Sequence, residues 1–317
     1  MRTVGVFIDS QNSRGRELLR GIGNFIHRQP DWFVTLHDRT PGDLLNCSVR
    51  ITQYDGILAS IETADDMQLL QRLDVPVVDV CGRFQCARIP RVIVDQQRAG
   101  TLAYAHLVGC GFPNLAFYSL AADSSSNHRL DAILHCAQKD GKHINVFRDD
   151  STAAPAGCGG SINESAHSEP QLEKWLTSLP KPIGIIACDD AMGKRLLEAC
   201  RRCGVQVPAA VAVIGFGSDD VFRAFCKPAL SSVPIPNERI GNEAAELLSK
   251  LMDGKMAVRH ETLVSPATVA ARYSTEGWGT TDQCVLMALK FIRENACKGI
   301  NTEDSAQRVH CRAGTAR

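Results

Sequence analysis

Short β-branched runs alternate with amphipathic stretches along most of this chain. Residues 4–8, 33–36, 56–59, 75–80 and 92–94 are brief and almost wholly apolar, the pattern of buried strands. Residues 15–27 and 97–108 carry the 3.6-residue period of helices, and in the first of them Leu18, Ile22, Phe25 and Ile26 form the buried stripe. The pattern then restarts. Strands at 115–118, 145–147, 183–187 and 211–214 alternate with helices at 129–137, 171–178 and 191–203. Strand–helix alternation of this kind predicts parallel sheets covered on both faces. Gly109, Gly111 and Pro113 punctuate the join, which places a change of subdomain near residue 110.

One later helix decides the topology. Pro234 and Pro236 precede a helix beginning at Asn237 or Glu238, on which Ile240, Ala244, Leu247, Leu248 and Leu251 make a broad apolar stripe. A short strand at 262–264 follows, so the chain is expected to return to its first sheet. The expected fold class is α/β: two doubly wound parallel-sheet lobes around a cleft. Lobe 1 spans about 1–110 and 237–265, and lobe 2 about 111–236, with 266–275 returning to it. Residues 151–161, rich in Ala, Gly and Ser, read as a surface loop, and 276–282 as a linker.

The tail, 283–317, has a different character. Asp282 can cap a helix with Val285, Leu289 and Ile292 on one face and Lys290, Arg293 and Glu294 on the other. Such a helix needs partners, and a helix-turn-helix reader needs a recognition helix long enough to enter a major groove. The residues after Asp304 carry too little apolar material to build one.

Composition narrows the class. With 317 residues, 44% of them hydrophobic, the chain has material for two core-forming units. Thirty-five basic residues balance thirty-five acidic ones, so no global charge favours nucleic acid. The N-terminus lacks a signal-peptide pattern and no apolar run approaches the ~20 residues of a membrane span, which makes a cytoplasmic protein with no membrane partner the expectation. The thirteen cysteines are then expected to be reduced thiols buried as small hydrophobes.

In open parallel α/β sheets, ligands bind beyond the carboxyl ends of the strands. Those ends are polar here. Asp9, Ser10, Ser13 and Arg16 follow the first strand, and Asp95 follows the fifth. In the second lobe, Asn127, His128 and Arg129 lie beyond Tyr118, Asp189 and Asp190 beyond Ala187, and Asp219 beyond Ile214. Carboxylates and a guanidinium converging on a cleft can each hydrogen-bond two hydroxyls of a polyol, which suits an uncharged small sugar. Asp and Ser at strand ends are also helix N-caps, and Arg16 and Arg129 could simply neutralise neighbouring acids.

Enzymatic motifs are missing. The sequence has no G-x-G-x-x-G after a strand, no P-loop, no G-x-S-x-G elbow and no H-E-x-x-H, so neither a catalytic residue nor a cofactor or metal is assigned. Gly21 and Gly23 fall too late in the first helix to cradle phosphate. Cys200 and Cys203 form a single C-x-x-C with no second pair at zinc spacing, and read as structural.

Several segments together resemble the sugar-binding clam of bacterial transcription regulators of the LacI/GalR type. They are Gly15-Arg16-Glu17-Leu18-Leu19-Arg20-Gly21-Ile22, Asp95, Cys188-Asp189-Asp190, Val213-Ile214-Gly215-Phe216 and Ala229-Leu230-Ser231-Ser232-Val233, in matching order over about residues 3–275. The run from Ala288 to Ile300 resembles the first helix of the AraC-type DNA-binding module. A periplasmic-binding-protein-like clam before an AraC-type module implies a sugar-responsive regulator. Its effector would be a small sugar, a pentose such as xylose, its assembly a homodimer through the first lobe, and its ligand residues Asp9, Ser13, Arg16, Asp95, Asn127, His128, Arg129, Asp189, Asp190 and Asp219. Two departures stand out. Related clams carry an acid directly after the Gly-Phe, where this chain has Gly217, so Asp219 would have to supply that carboxylate. The sequence also leaves the module pattern after Asp304, so operator DNA would be a partner only of a full-length relative or a mixed dimer, in which this chain would act as an inhibitor. A stand-alone sugar-binding or sensory protein, or a non-functional remnant, is the alternative.

Overall fold

The computed structural model describes residues 1–29, 31–38, 53–120, 124–149, 169–217, 225–254 and 260–276, together with Val285, Ala288, Phe291, Ile292, Asn295 and Gly299 of the tail. Two parallel sheets organise it. The first contains β1 (Arg2–Phe7), β2 (Trp32–His37), β3 (Gly56–Ala59), β4 (Val77–Asp79), β5 (Arg91–Val94) and β11 (Glu261–Val264), in the order β11-β5-β4-β3-β1-β2. The second contains β6 (Asn114–Leu120), β7 (Ile144–Asp149), β8 (Ile183–Ala187), β9 (Val211–Phe216) and β10 (Ser231–Val233), in the order β10-β9-β8-β6-β7. Every strand pairing within the two sheets is parallel. The carboxyl ends of each sheet therefore share one edge.

The helices are α1 (Ser13–Ile26), α2 (Ala64–Gln71), α3 (Gln96–Gly109), α4 (Ser124–Lys139), α5 (Glu169–Ser178), α6 (Asp190–Arg202) and α7 (Asn237–Met252). Leu18, Ile22 and Phe25 of α1 enter one core with Ile240, Ala244 and Leu248 of α7 and Val4, Val6 and Leu58 of the first sheet. The two helices approach closely enough that their backbones nearly touch. A Cβ on Gly21 would run into the Glu238 carbonyl oxygen, and one on Gly241 into that of Leu18. The glycines that the sequence excluded from phosphate binding have distinct roles: Gly21 permits this crossing, whereas Gly23 has open space where a Cβ would be. On the other face of the sheet, Phe7, Ile57, Ala59 and Ile61 pack with Met67 and Leu70 of α2.

The join between lobes lies earlier than residue 110. Ala99, Ala103 and Leu107 of α3 belong to the second core, with Phe117, Ile185, Leu196 and Val213. A Cβ at Gly100 would stand 2.6 Å from the Arg129 carbonyl oxygen, a measure of how tightly α3 meets α4. The helix expected in lobe 1 thus covers lobe 2, and the first crossing falls at Asp95. Pro234–Pro236 make the second crossing, and the chain after β11 makes the third. Beyond it, Ala270 and Ser232 exchange backbone hydrogen bonds, and Ser274 bonds to Ala229 and Val213, which fastens residues 270–276 to β9 and β10.

Two elements went unread in the sequence. Helix α2 begins with a full capping box, in which Thr63 and Asp66 satisfy one another's backbone N–H groups. Strand β10 has only three residues, two of them serine. The expected strand at 75–80 shrinks to Val77–Asp79. The surface loop at 151–161, the linker from residue 277 and most of the tail lie outside the described residues. The described tail residues from Val285 to Asn295 are helical, and Val285 and Ile292 are each 42% exposed.

Candidate effector-binding cleft

The first-lobe wall starts where β1 turns into α1. Asn12 caps α1 by accepting the Gly15 N–H at 2.7 Å, and Asp9 holds Asn12 in place by accepting its amide at 3.0 Å and the Gln11 N–H at 2.8 Å. A Cβ on Gly15 would collide with the Asp9 carbonyl oxygen, so the turn requires glycine there. Ser13 opens the helix. Arg16 is exposed and folds back on its own loop, donating to the carbonyls of Ser10 at 3.1 Å and Gln11 at 2.7 Å.

Arg14, which the sequence reading passed over, reaches across the sheet end instead. Its guanidinium donates to the Val80 carbonyl at 2.8 Å. Around it lie two carboxylates that were likewise unread, Glu62 after β3 and Asp79 at the end of β4, each under 9% exposed. Burial pushes the Glu62 carboxyl above its ordinary value, while the Ser60 hydroxyl at 3.1 Å and the Arg14 charge pull it down. Asp79 is also raised by burial, opposed by the N–H groups of Cys81, Gly82 and Ile61 and then by Arg14. Arg14 is thus the cation that offsets a buried acidic strand edge.

The second-lobe wall is built around α6. Asp189 caps it, accepting the Met192 N–H at 2.7 Å. Asp190, 6% exposed, accepts the Ser232 hydroxyl at 2.6 Å. Two glycines make room for that carboxylate. A Cβ at Gly215 would stand 2.5 Å from Asp190 Oδ1, and one at Gly217 would stand 2.5 Å from Asp190 Oδ2. The acid expected at position 217 would collide with the acid already there. Asp219, the expected substitute, lies outside the described residues.

Arg129 is only 8% exposed. It donates to Gln96 Oε1 at 2.6 Å and to the Cys188 carbonyl, and its guanidinium stacks 4.6 Å above the Phe216 ring. These contacts tie α4 to the start of α3 and to the strand end before α6. Asp95 is a helix cap that accepts the Arg98 N–H at 2.8 Å and the Ser265 hydroxyl at 3.0 Å, linking the first and third crossings. Asn127 and His128 are exposed on the first turn and a half of α4. The strand-end carboxylate of Asp149 faces the lobe interior, paired with Arg195 at 2.7 Å and the Tyr118 hydroxyl at 3.0 Å.

Arginine and carboxylate chemistry at the carboxyl ends of both sheets fits recognition better than catalysis. Cys200 and Cys203 are free thiols, and burial pushes Cys200 up to about 12, so it is unreactive at neutral pH. Among the described residues, no group of three His, Cys, Asp or Glu side chains could hold a metal ion, and no helix is long and apolar enough to cross a membrane.

Two α/β lobes joined by three crossings, each with polar residues at its strand ends, define a two-lobed binding-protein fold. The chain belongs to the periplasmic binding protein-like family, whose model matches residues 104–275. It is similar to the xylose operon regulatory protein of Haemophilus influenzae, 28% identical over 307 residues that cover 94% of this chain and 76% of that protein. Its similarity to the Escherichia coli K12 xylose operon regulatory protein is 27% over 309 residues, covering 95% and 76%. Among solved structures, a xylose-binding transcription activator superposes with a TM-score of 0.75 at 26% identity, covering 98% of this chain and 79% of the other. A LacI family regulator from Enterococcus faecium with bound ribose shares the fold, with a TM-score of 0.67 at 17% identity and coverage of 88% and 100%. The similar proteins are transcription regulators, not enzymes.

Proposed function

We propose that this chain is the effector-binding part of a sugar-responsive transcription regulator, and that the sugar is a pentose held between the two strand-end walls. The observation that carries the reading is the Arg14–Glu62–Asp79 cluster on one wall and the Asp190–Ser232 pair on the other, both at the carboxyl ends of their sheets. An uncharged polyol needs such acceptors and donors in fixed places, since each buried hydroxyl left unpaired costs about 1–3 kcal/mol. Support comes from similar proteins: one is a xylose-binding activator, and others of the same fold hold ribose or xylulofuranose.

In this reading Asp9, Ser13, Arg16, Asn127, His128, Asp189 and Asp219 rim the cleft, while Asp95 and Arg129 brace the elements that carry it. The tail from Ala288 to Ile300 belongs to an AraC-type module, and a homodimer through the first lobe presents it. Operator DNA is reached by a complete relative or a mixed dimer.

Thermal unfolding against a panel of pentoses and hexoses tests the reading. At ~100 times its dissociation constant, a ligand of the folded form adds about 2.7 kcal/mol, a rise of roughly 4 °C for a chain of this size. A selective rise with one pentose supports the proposal. A cooperative transition that no sugar moves would sink it.

A further inference from the structure

Ser231 and Ser232 are adjacent on β10, and both are fully buried. Successive side chains on a strand point to opposite faces. Ser232 donates to Asp190 on the cleft wall. Ser231 instead holds the segment by which the chain leaves the second lobe. Its hydroxyl donates to the Arg272 carbonyl at 2.9 Å, accepts the Arg272 N–H at 2.8 Å, and lies 2.7 Å from the Thr275 hydroxyl.

Proton bookkeeping orders the rest. The single Ser231 proton goes to Arg272, so Thr275 donates to Ser231 and must itself accept from His106 Nε2 on α3, 2.7 Å away. Ser274 completes the fixture, donating to the Val213 carbonyl of β9 at 2.6 Å and accepting the Ser231 N–H at 2.8 Å. Ser274 and Thr275 are at most 1% exposed. Buried hydroxyls linked this completely have little freedom to move singly. Displacing β10 would move both ends of the network.

We propose that β10 couples the cleft to the exit segment, with Ser232 as a positioning residue for Asp190 and Ser231 as the anchor of residues 270–276. The proposal rests on the reading above that Asp190 faces an effector. A ligand that draws the Asp190 carboxylate changes its bond to Ser232, shifts β10 and alters how firmly 270–276 is held. A shift of this kind follows only from differential contacts in the two states.

Amide hydrogen exchange on the full chain without ligand tests the coupling. The readouts are the N–H groups of Ala270, Ser274 and Thr275, bonded to the carbonyls of Ser232, Ala229 and Arg272. Ser232→Ala should speed exchange at these positions about fivefold or more. Asp190→Ala, which removes the acceptor of the Ser232 hydroxyl, should do the same, and carries the test if Ser232→Ala fails to fold. Asn114→Ala removes a similar bond, 3.1 Å to the Pro182 carbonyl, at the amino end of the same sheet, and should leave 270–276 unchanged. Unaltered exchange in both cleft variants, or an equal rise with Asn114→Ala, overturns the proposal.

D-Xylose supplies a second arm. Ser231→Ala should bind it as the wild type does yet lose any xylose-induced change at 270–276, whereas Ser232→Ala should bind more weakly. Loss of both responses together in Ser231→Ala counts against the coupling. Failure of the wild type to bind any pentose removes the proposed function, while the ligand-free comparison still decides the coupling.

Discussion

Glycines settle the closest approaches in this molecule, and each reports a different neighbour. Gly23 and Gly21 sit two residues apart on α1, yet alanine should act oppositely at them. At Gly23 the space is open, so Gly23→Ala should stabilise by about 0.5–1 kcal/mol through helix propensity. At Gly21 the same methyl meets the α7 backbone, and Gly21→Ala should destabilise by about 1–3 kcal/mol. Urea unfolding of the two variants checks the sign. At Gly217 the neighbour is a carboxylate, so Gly217→Asp should lower the urea midpoint and weaken effector binding, because the new side chain crowds Asp190. An unchanged midpoint and affinity would contradict that reading of the glycine. The sequence shows Gly217 as a missing ligand, since a lone residue type does not reveal which side chain fills its place. It likewise favours Arg16 over Arg14. Both follow the strand, and only the rotation of α1 on the sheet sends Arg14 to Val80 and Arg16 back to its own loop.

At the scale of elements, buried titratable groups set the pH dependence of stability. His106 on α3 and His37 on β2 both have pKa values lowered by burial from 6.5. The unfolded chain then takes up protons that the folded chain resists, so stability is full above about pH 6.5 and declines as pH falls through the lowered values. Glu62 and Asp79, raised by burial, act in the opposite sense, since folding favours their protonated forms as pH drops towards their raised values. Replacing His106 by Gln keeps a donor near Thr275 and removes one titration. Denaturant unfolding between about pH 7.5 and about pH 5.5 should show a shallower loss of stability in His106→Gln than in the wild type. An identical slope would remove His106 from the account. Long periodic elements such as α1, α6 and α7 are plain in the sequence because their stripes repeat over three turns or more. Helix α2 is eight residues with a weak stripe, and its capping box is the signal that could have found it. Strand β10 offers no period at all; Ser231 and Ser232 look like loop residues until their hydroxyls find buried partners. The periodicity of α3 does not reveal its lobe, because Ala99, Ala103 and Leu107 face a core whose identity depends on where the chain crosses.

At the scale of the whole molecule, alternation of strand and helix made the two-lobed plan legible, and the return of α7 to α1 followed from the prolines that set up its crossing. The convergence of strand ends was legible too, because parallel sheets gather their carboxyl ends on one edge. What periodicity could not supply is the division of those polar residues between the two tasks of bracing and binding. Arg129 and Asp95 are engaged in holding elements together, while the proposed binding role falls to Arg14, Glu62 and Asp190 at the strand ends. The central claim is that both walls form one site. Calorimetric titration of D-xylose into the wild type, Arg14→Met and Asp190→Ala tests it most directly, with one variant on each wall. The account predicts measurable binding by the wild type and a loss of about tenfold or more in each variant, the effect of about 1.4 kcal/mol of lost hydrogen bonding. No binding by the wild type, or a loss confined to one wall, would contradict it.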